Sequence, residues 1–261
     1  MPVTRSDIQK QFGATAPGYA ASLSHAHGAT LRDILELADV QVGDWVLDVA
    51  SGTCHTALAM PPGAGVVIGQ DLTIGMLREG ARLAAERGVG HLRLVASDVQ
   101  ALPFADESFE RVVSRIAPHH FLDIALAVRE IARVLVPGGR FAVVDGSTPD
   151  DPEIDRFVDA LERLHDPTHV RNYTSREWRG FCEAAGLKVV EVREELYDVM
   201  GGKSLAEWSA RSHVAAAPLA RMREMLLGAP VRIRAALKIH QDGGDVRFDV
   251  PKVGLAAVKS A

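Results

Sequence analysis

Between about residue 30 and residue 145, short apolar runs of strand length alternate with stretches whose apolar residues recur at helical intervals. The runs Trp45 to Val49, Val66 to Gly69, His91 to Val95, Arg111 to Ser114 and Arg140 to Val144 are each followed by a helix-period or loop segment. Strands joined in this way need right-handed helical crossovers, which predicts an α/β fold with a doubly wound, mostly parallel sheet. Ligands of such sheets sit at the C-terminal ends of the strands. Two later runs, Leu187 to Arg193 and Phe248 to Val258, are predicted to complete one edge and bring the sheet to seven strands. A direct connection between neighbouring edge strands needs only a few residues. The long stretch Lys203 to Asp245, broken at Gly228-Ala229-Pro230, is therefore read as a helical insertion. The predicted organisation is an N-terminal helical segment over 1–40, the α/β core over 41–200, a helical cap over 201–246 and the last core strand over 247–261.

Composition narrows the partners. A chain of 261 residues with 47% apolar content can bury a full-sized core. Its formal charge of -5 argues against a general binder of nucleic acid or of anionic membrane, both of which need a net basic face. No apolar run approaches the ~20 residues of a membrane span, and MPVTRSDIQKQF lacks the apolar centre of a signal peptide, so a cytoplasmic protein is expected. Two cysteines, Cys54 and Cys182, are too few for a disulfide framework or a cysteine-rich metal site, and no metal is expected.

Candidate chemistry begins at VLDVASGTCHTALAM, residues 46–60. The small residues Ala50, Ser51, Gly52 and Thr53 make a sharp turn after the first strand, where a ligand can lie against the backbone. A dinucleotide fingerprint would place glycines at 50, 52 and 55, and this chain has Ala50 and His55, so a pyrophosphate site fits poorly. Asp48, in the strand itself, has two readings: a partner for a positively charged ligand group such as an ammonium, or an acceptor for loop amides. Asp71 follows the second strand, where a carboxylate can accept both hydroxyls of a ribose. Asp98, past the third strand, is placed to accept from an adenine amino group, with Val99 beside it. Three acids at successive strand ends point to a nucleoside.

The segments VLDVASGTCHTA, VIGQDLTIGML, VASDVQALPFADESFERVVSR and ARVLVPGGRFAVVD together cover most of residues 44–145 and, in this order and spacing, resemble the class I S-adenosylmethionine-dependent methyltransferases. The resemblance is to the branch of ubiquinone/menaquinone C-methyltransferase-like (methyltransferase type 11) proteins. It implies S-adenosylmethionine (SAM) as cofactor in a Rossmann-like methyltransferase fold. Asp48 and Ala50 to Gly52 would then lie by the methionine moiety, Asp71 by the ribose with Leu72 and Met76 close by, and Asp98 with Val99 by the adenine. Ser114, Arg115 and Ile116 would face the sulfonium. QFGATAPGYAASLSHAHG looks like the family's entry helix, with Phe12 and Tyr19 over the cofactor and Tyr19 reaching its carboxylate. The chain departs from the family at Ala50 and Cys54, where the usual loop has glycines.

Methyl transfer is an in-line displacement whose rate comes largely from alignment and water exclusion, with a base added only for a protonated nucleophile. His119 and His120, after the fourth strand, are the candidate bases; the competing reading is a pair of helix-start histidines that pack. His169, Arg171 and Tyr173, in DPTHVRNYTSREW, are candidate acceptor contacts, although the segment also reads as a loop capping a helix near Thr174 or Ser175. Trp208 in the insertion is a further candidate. Leu205, Trp208, Met222, Met225, Leu226 and Leu227 recur as an apolar stripe suited either to a substrate cap or to a dimer interface, so monomer and homodimer both stay open. The expected function is methyl transfer to N, O, S or activated carbon of a small, aromatic or heteroaromatic acceptor. The alternative is a module that binds SAM or S-adenosylhomocysteine, or an enzyme of the same fold, without methyl transfer.

Overall fold

The computed structural model describes residues 2–197 and 202–260. Three helices open the chain: α1 (Arg5–Ala20), α2 (Leu23–His27) and α3 (Ala29–Ala38). The first starts at a capping box, in which Asp7 N–H donates to Thr4 Oγ1 and Thr4 N–H donates to the Asp7 carboxylate. There follow β1 (Trp45–Val49), α4 (His55–Leu58), β2 (Val66–Asp71), α5 (Ile74–Glu86), β3 (Leu92–Ala96), β4 (Phe109–Arg115), α6 (Ile124–Val134) and β5 (Leu135–Gly146). After α7 (Pro152–His165), α8 (Ser175–Ala184) and β6 (Leu187–Leu196) come β7 (Lys203–Ser204), α9 (Leu205–Arg211), α10 (Ala216–Leu227) and α11 (Val231–Ala236). The strands β8 (His240–Asp242), β9 (Asp245–Phe248) and β10 (Lys252–Lys259) end the chain.

The main sheet has seven strands in the order β3-β2-β1-β4-β5-β10-β6. The five strands β1 to β5 run parallel, and β10 is antiparallel to both of its neighbours. Strand order reverses between β1 and β4, so the crevice beyond their C-terminal ends is where an open α/β sheet accepts a ligand. One face is filled by Leu47, Val112, Ile131, Phe141, Trp178 and Leu255 among others, the opposite face by Ile34, Leu37, Val46, Val67 and Ala256.

Two details depart from the sequence expectation. The predicted last strand, Phe248 to Val258, is two strands in different sheets: Phe248 pairs with Lys203, whereas Lys252 pairs with Gly146. Pro251 stands between them, and a residue with no N–H cannot continue a ladder. The insertion is likewise not all helix, because β7, β9 and β8 form a three-stranded antiparallel sheet. A two-residue Gly243-Gly244 loop closes its hairpin, with Gly243 at φ +57°.

The apolar stripe of the insertion is covered within this chain. Leu205, Trp208, Met222 and Leu226 pack with Ile154, Val158 and Leu161 of α7 and with Phe248, so these residues need no second subunit to leave water.

The turn after β1 is built from residues with left-handed backbone: Ala50 at φ +52°, Gly52 at φ +54° and Cys54 at φ +64°. A non-glycine residue there costs roughly 1 kcal/mol or more. Ala50→Gly is therefore expected to raise stability by about 0.5 kcal/mol after the extra chain entropy of glycine is subtracted. Cys54→Gly should relieve the same strain yet destabilise, because the buried thiol fills the space against Gly69 and Gly80, where a Cβ would come within 3.0 and 2.6 Å of its sulfur. Urea unfolding of the two variants checks the opposite signs.

Candidate active site

A cleft of about 980 Å3 opens at the switch point, between the loops after β1 to β4 and the inner side of α1. It is large enough for a nucleoside-sized ligand. Tyr19, Asp48, Ala50, Ser51, Gly52, Asp71, Leu72, Met76, Asp98, Val99 and Arg115 all line it. Ser114 does not. It is fully buried and its Oγ donates to the Val49 carbonyl at 3.1 Å, tying β4 to β1 beneath the cleft floor.

Asp71 braces the turn. Its carboxylate accepts from Gly52 N–H at 2.8 Å and from Thr73 N–H at 2.7 Å, so the loops after β1 and β2 meet at one side chain. Burial raises its pKa against the pull of those two amides. A Cβ built on Gly52 would meet nothing within 4 Å, so the turn faces open space that a ligand can fill. Gln70, which sequence reasoning passed over, binds a third loop: its Oε1 accepts from Ala50 N–H at 3.2 Å and its amide donates to the Ser97 carbonyl. Asp98 caps the turn that follows it through Gln100 N–H at 2.8 Å and pairs with Arg5 of α1 across the cleft mouth.

Asp48 combines its two readings. It accepts from Ala57 N–H of α4 at 3.0 Å, and it is buried against the cleft near Arg115. Burial pushes its pKa up to about 7, with Arg115 and the Ala57 amide pulling down and Asp71 pushing up. A carboxyl raised from 3.8 to about 7 on folding holds its proton in the native state where the unfolded chain has lost it, so stability falls as pH rises across that window. Asp48→Asn is thus expected to make the ligand-free protein more stable than the parent at pH 8, by about 2 kcal/mol, with little difference at pH 4. Thermal melts at the two pH values test this; an equal difference at both would refute it. Such a buried charge is a stability cost that a cationic ligand group would offset.

Beyond Tyr19, Arg115, Ile116 and His120 the cleft continues into a second chamber of about 820 Å3, between the end of β5 and α2, α7 and α9. His119, His120, His169 and Trp208 line it. His119 is fixed twice by one carboxylate at the end of β5: its N–H donates to Asp145 Oδ2 at 2.7 Å, and its ring Nδ1 lies 2.6 Å from Asp145 Oδ1. Burial alone would lower the His119 pKa, but the charge and hydrogen bond of Asp145 outweigh it and leave it raised. His120 has its Nδ1 on the Thr168 carbonyl at 3.0 Å and Phe12 edge-on at 4.8 Å between ring centres. Burial and the neighbouring His119 lower its pKa to about 4. His169 is still more buried, and its pKa falls to about 2 through burial and the other two histidines. Its Nε2 is 3.7 Å from Asp159, too long for a hydrogen bond, and is left without one.

Arg171 and Tyr173 are not brought to either cavity. Arg171 is paired with Glu177 at 3.1 Å and Asp155 at 3.5 Å on the outer side of the loop. Tyr173 packs in the core against Trp178 and Phe181, because Thr174 caps α8 and turns the preceding residue inward. Trp208 lines the chamber, yet one face is stacked on His165 at 3.6 Å and Lys203 lies 5.2 Å over the ring, so it offers little free aromatic surface. Cys54 is an inert packing residue whose thiol burial raises to about 12. Among the described residues no group of three or more His, Cys, Asp or Glu side chains is arranged to hold a metal ion, and no helix is long and apolar enough to cross a membrane.

Asp145, behind His119, and Asn172 and Arg211, which line the chamber, were not picked out from the sequence. Asp145 carries the same signal as Asp71, an acid at the C-terminal end of a parallel strand. The other two come from a loop and from the insertion, and only the folded chain brings them here.

Residues 47–143 match the model of a family described as a methyltransferase domain. The uncharacterised methyltransferase YcgJ of Bacillus subtilis is 38% identical over 183 residues, which is 70% of this chain and 72% of that one. The crystal structure of YcgJ superposes with a TM-score of 0.82 at 32% identity, covering 89% of this chain and 98% of that one. A demethylmenaquinone methyltransferase of Corynebacterium kroppenstedtii is 37% identical over 111 residues, 42% of this chain and 45% of its own length. Geranyl diphosphate methyltransferase, solved with SAM, shares the fold at 19% identity with a TM-score of 0.64, over 88% of this chain and 84% of that one. The chain thus belongs to the S-adenosylmethionine-dependent methyltransferases.

Proposed function

We propose that this protein binds SAM in the cleft and transfers its methyl group to a small acceptor held in the adjoining chamber. The observation that carries the reading is the junction itself. A nucleoside-sized cleft with acids at the C-terminal ends of β1, β2 and β3 opens, past Arg115 and His120, into a chamber lined by His119, which Asp145 holds from behind. The donor set suits SAM: Asp71 has acceptor capacity left for ribose hydroxyls, Asp98 for an adenine amino group, and Asp48 is a buried carboxylate suited to an ammonium. SAM would supply an electrophilic methyl group on sulfur.

The protein's own work is alignment, water exclusion and disposal of a proton. Phe12 and Tyr19 of α1 cover the junction from one side, and α9 and α7 close the chamber from the other. The segment 1–40 and the insertion 201–246 act in this reading as two covers over the α/β core. His119 has its Nδ1 committed to Asp145, which leaves Nε2 as the proton acceptor for an O–H or N–H nucleophile. The proton of such a nucleophile would pass to that nitrogen as the methyl group is transferred. The partner is a small molecule rather than nucleic acid or membrane, in keeping with the net charge of -5. Incubation of the protein with SAM and a fractionated metabolite extract tests the reading. Extract-dependent release of S-adenosylhomocysteine (SAH), with micromolar SAH binding by calorimetry, is expected, and SAH binding without turnover on any fraction would favour the nucleoside-binding module.

A further inference from the structure

Four cationic side chains reach the chamber wall. Arg115, Lys203, Arg211 and Lys252 line it against two carboxylates, Glu162 and Asp166. Asp166 spends one oxygen on Thr168 N–H and Oγ1, and Glu162 has its carboxyl raised by burial. Arg211 is distinctive among the four. It ends α9, half-buried, and its Nη1 donates to Ser24 Oγ of α2 at 3.0 Å. Its buried Nε–H has no hydrogen-bond partner, and no carboxylate lies within ion-pair distance of its guanidinium among the described residues. A guanidinium cannot shed its charge, so a half-buried one with a single neutral partner carries an uncompensated cost. Nε is itself closed off from solvent, and Nη2 beside it makes no hydrogen bond among the described residues, so Nη2 is the donor a carboxylate meets first. Asn172, which also lines the chamber, is buried with its Nδ2 unpartnered.

Resting on the methyltransferase reading, we propose that the acceptor is a small carboxylic acid whose carboxylate docks on the Arg211 guanidinium at Nη2. The group to be methylated then lies on the His119 side of the chamber. Arg211 fixes one end of the acceptor through the insertion, and the cofactor cleft meets the other end. A neutral isostere loses the charge-assisted pair, and a cationic one meets repulsion.

Benzoate, benzamide and benzylamine, which share a ring and differ in head-group charge, test this when titrated into SAH-saturated protein and followed by NMR. Benzoate is expected to bind at least tenfold more tightly than either analogue, with shifts on α9. Arg211→Met should abolish the preference while leaving SAH affinity within about threefold. Arg211→Lys, which keeps the charge and loses the fork, should restore it only in part. Should Arg211→Met fail to fold, the lysine variant carries the comparison. Equal or tighter binding of benzamide or benzylamine, a benzoate preference that survives Arg211→Met, or no binding of any probe to the SAH complex would each overturn the proposal. Failure of the parent protein to bind SAH would instead strike the methyltransferase reading beneath it.

Discussion

Asp71→Ala is expected to weaken SAH binding by about a hundredfold or more. In the proposed complex this carboxylate accepts two ribose hydroxyls, and losing two charge-assisted hydrogen bonds costs on the order of 3 kcal/mol. The structure adds a second cost, because the same carboxylate holds Gly52 N–H at 2.8 Å and Thr73 N–H at 2.7 Å, and without it the turn after β1 loses its brace. Asp71→Asn separates the two effects. Its carbonyl oxygen can keep one amide, but the ionic acceptor is gone, so an intermediate loss of about tenfold is expected. Calorimetry on folded variants decides; affinity unchanged in Asp71→Ala would remove Asp71 from the cofactor site.

The strand rhythm from residue 45 to residue 144 was legible because each buried parallel strand is a short apolar run between polar turns, a pattern that depends on local sequence alone. The acids that follow were legible for the same reason: a parallel sheet puts every strand's C-terminal end on one side, so Asp48, Asp71 and Asp98 had to converge. The end of the chain was harder. Phe248 to Val258 reads as one apolar run, and only Pro251 signals that the chain leaves one sheet and enters another.

Acceptor residues were legible only in part, and the reason is geometric. His119 and His120 follow directly from a strand end. The loop from 169 to 173 is different, since neighbouring residues there point in different directions: His169 and Asn172 line the chamber, while Arg171 points out and Tyr173 packs in the core. Nothing in the residue types distinguishes these directions, and His169, Arg171 and Tyr173 were the more obvious polar set. Arg211 lies far along the chain, and its meaning depends on what α9 packs against.

Replacing His119 by alanine is expected to lower turnover by ~10²-fold or more while changing SAH affinity little, the usual size of a lost general base. Asp145→Asn provides the finer test, because in the proposed reaction Asp145 would act only through His119. The aspartate holds Nδ1 at 2.6 Å and leaves the His119 pKa above its ordinary 6.5. The base works when deprotonated, so turnover should rise with pH through that raised value. The stabilisation from the pair has the opposite sign: a histidine raised by folding contributes fully below pH 6.5 and loses its contribution as pH climbs through the native value. Activity and stability therefore exchange across one window. Asp145→Asn removes the charge, so the His119 midpoint should move down, seen directly in the NMR titration of its ring protons without any acceptor. The turnover profile should shift down by the same amount and its plateau should drop, since an amide stabilises the imidazolium less and need not hold the same tautomer. A packing role for His119 makes a different forecast: stability would change in both variants while the pH profile of turnover stayed where it was. A midpoint unmoved in Asp145→Asn, or an alanine variant at position 119 with full turnover, would assign the pair to structure alone.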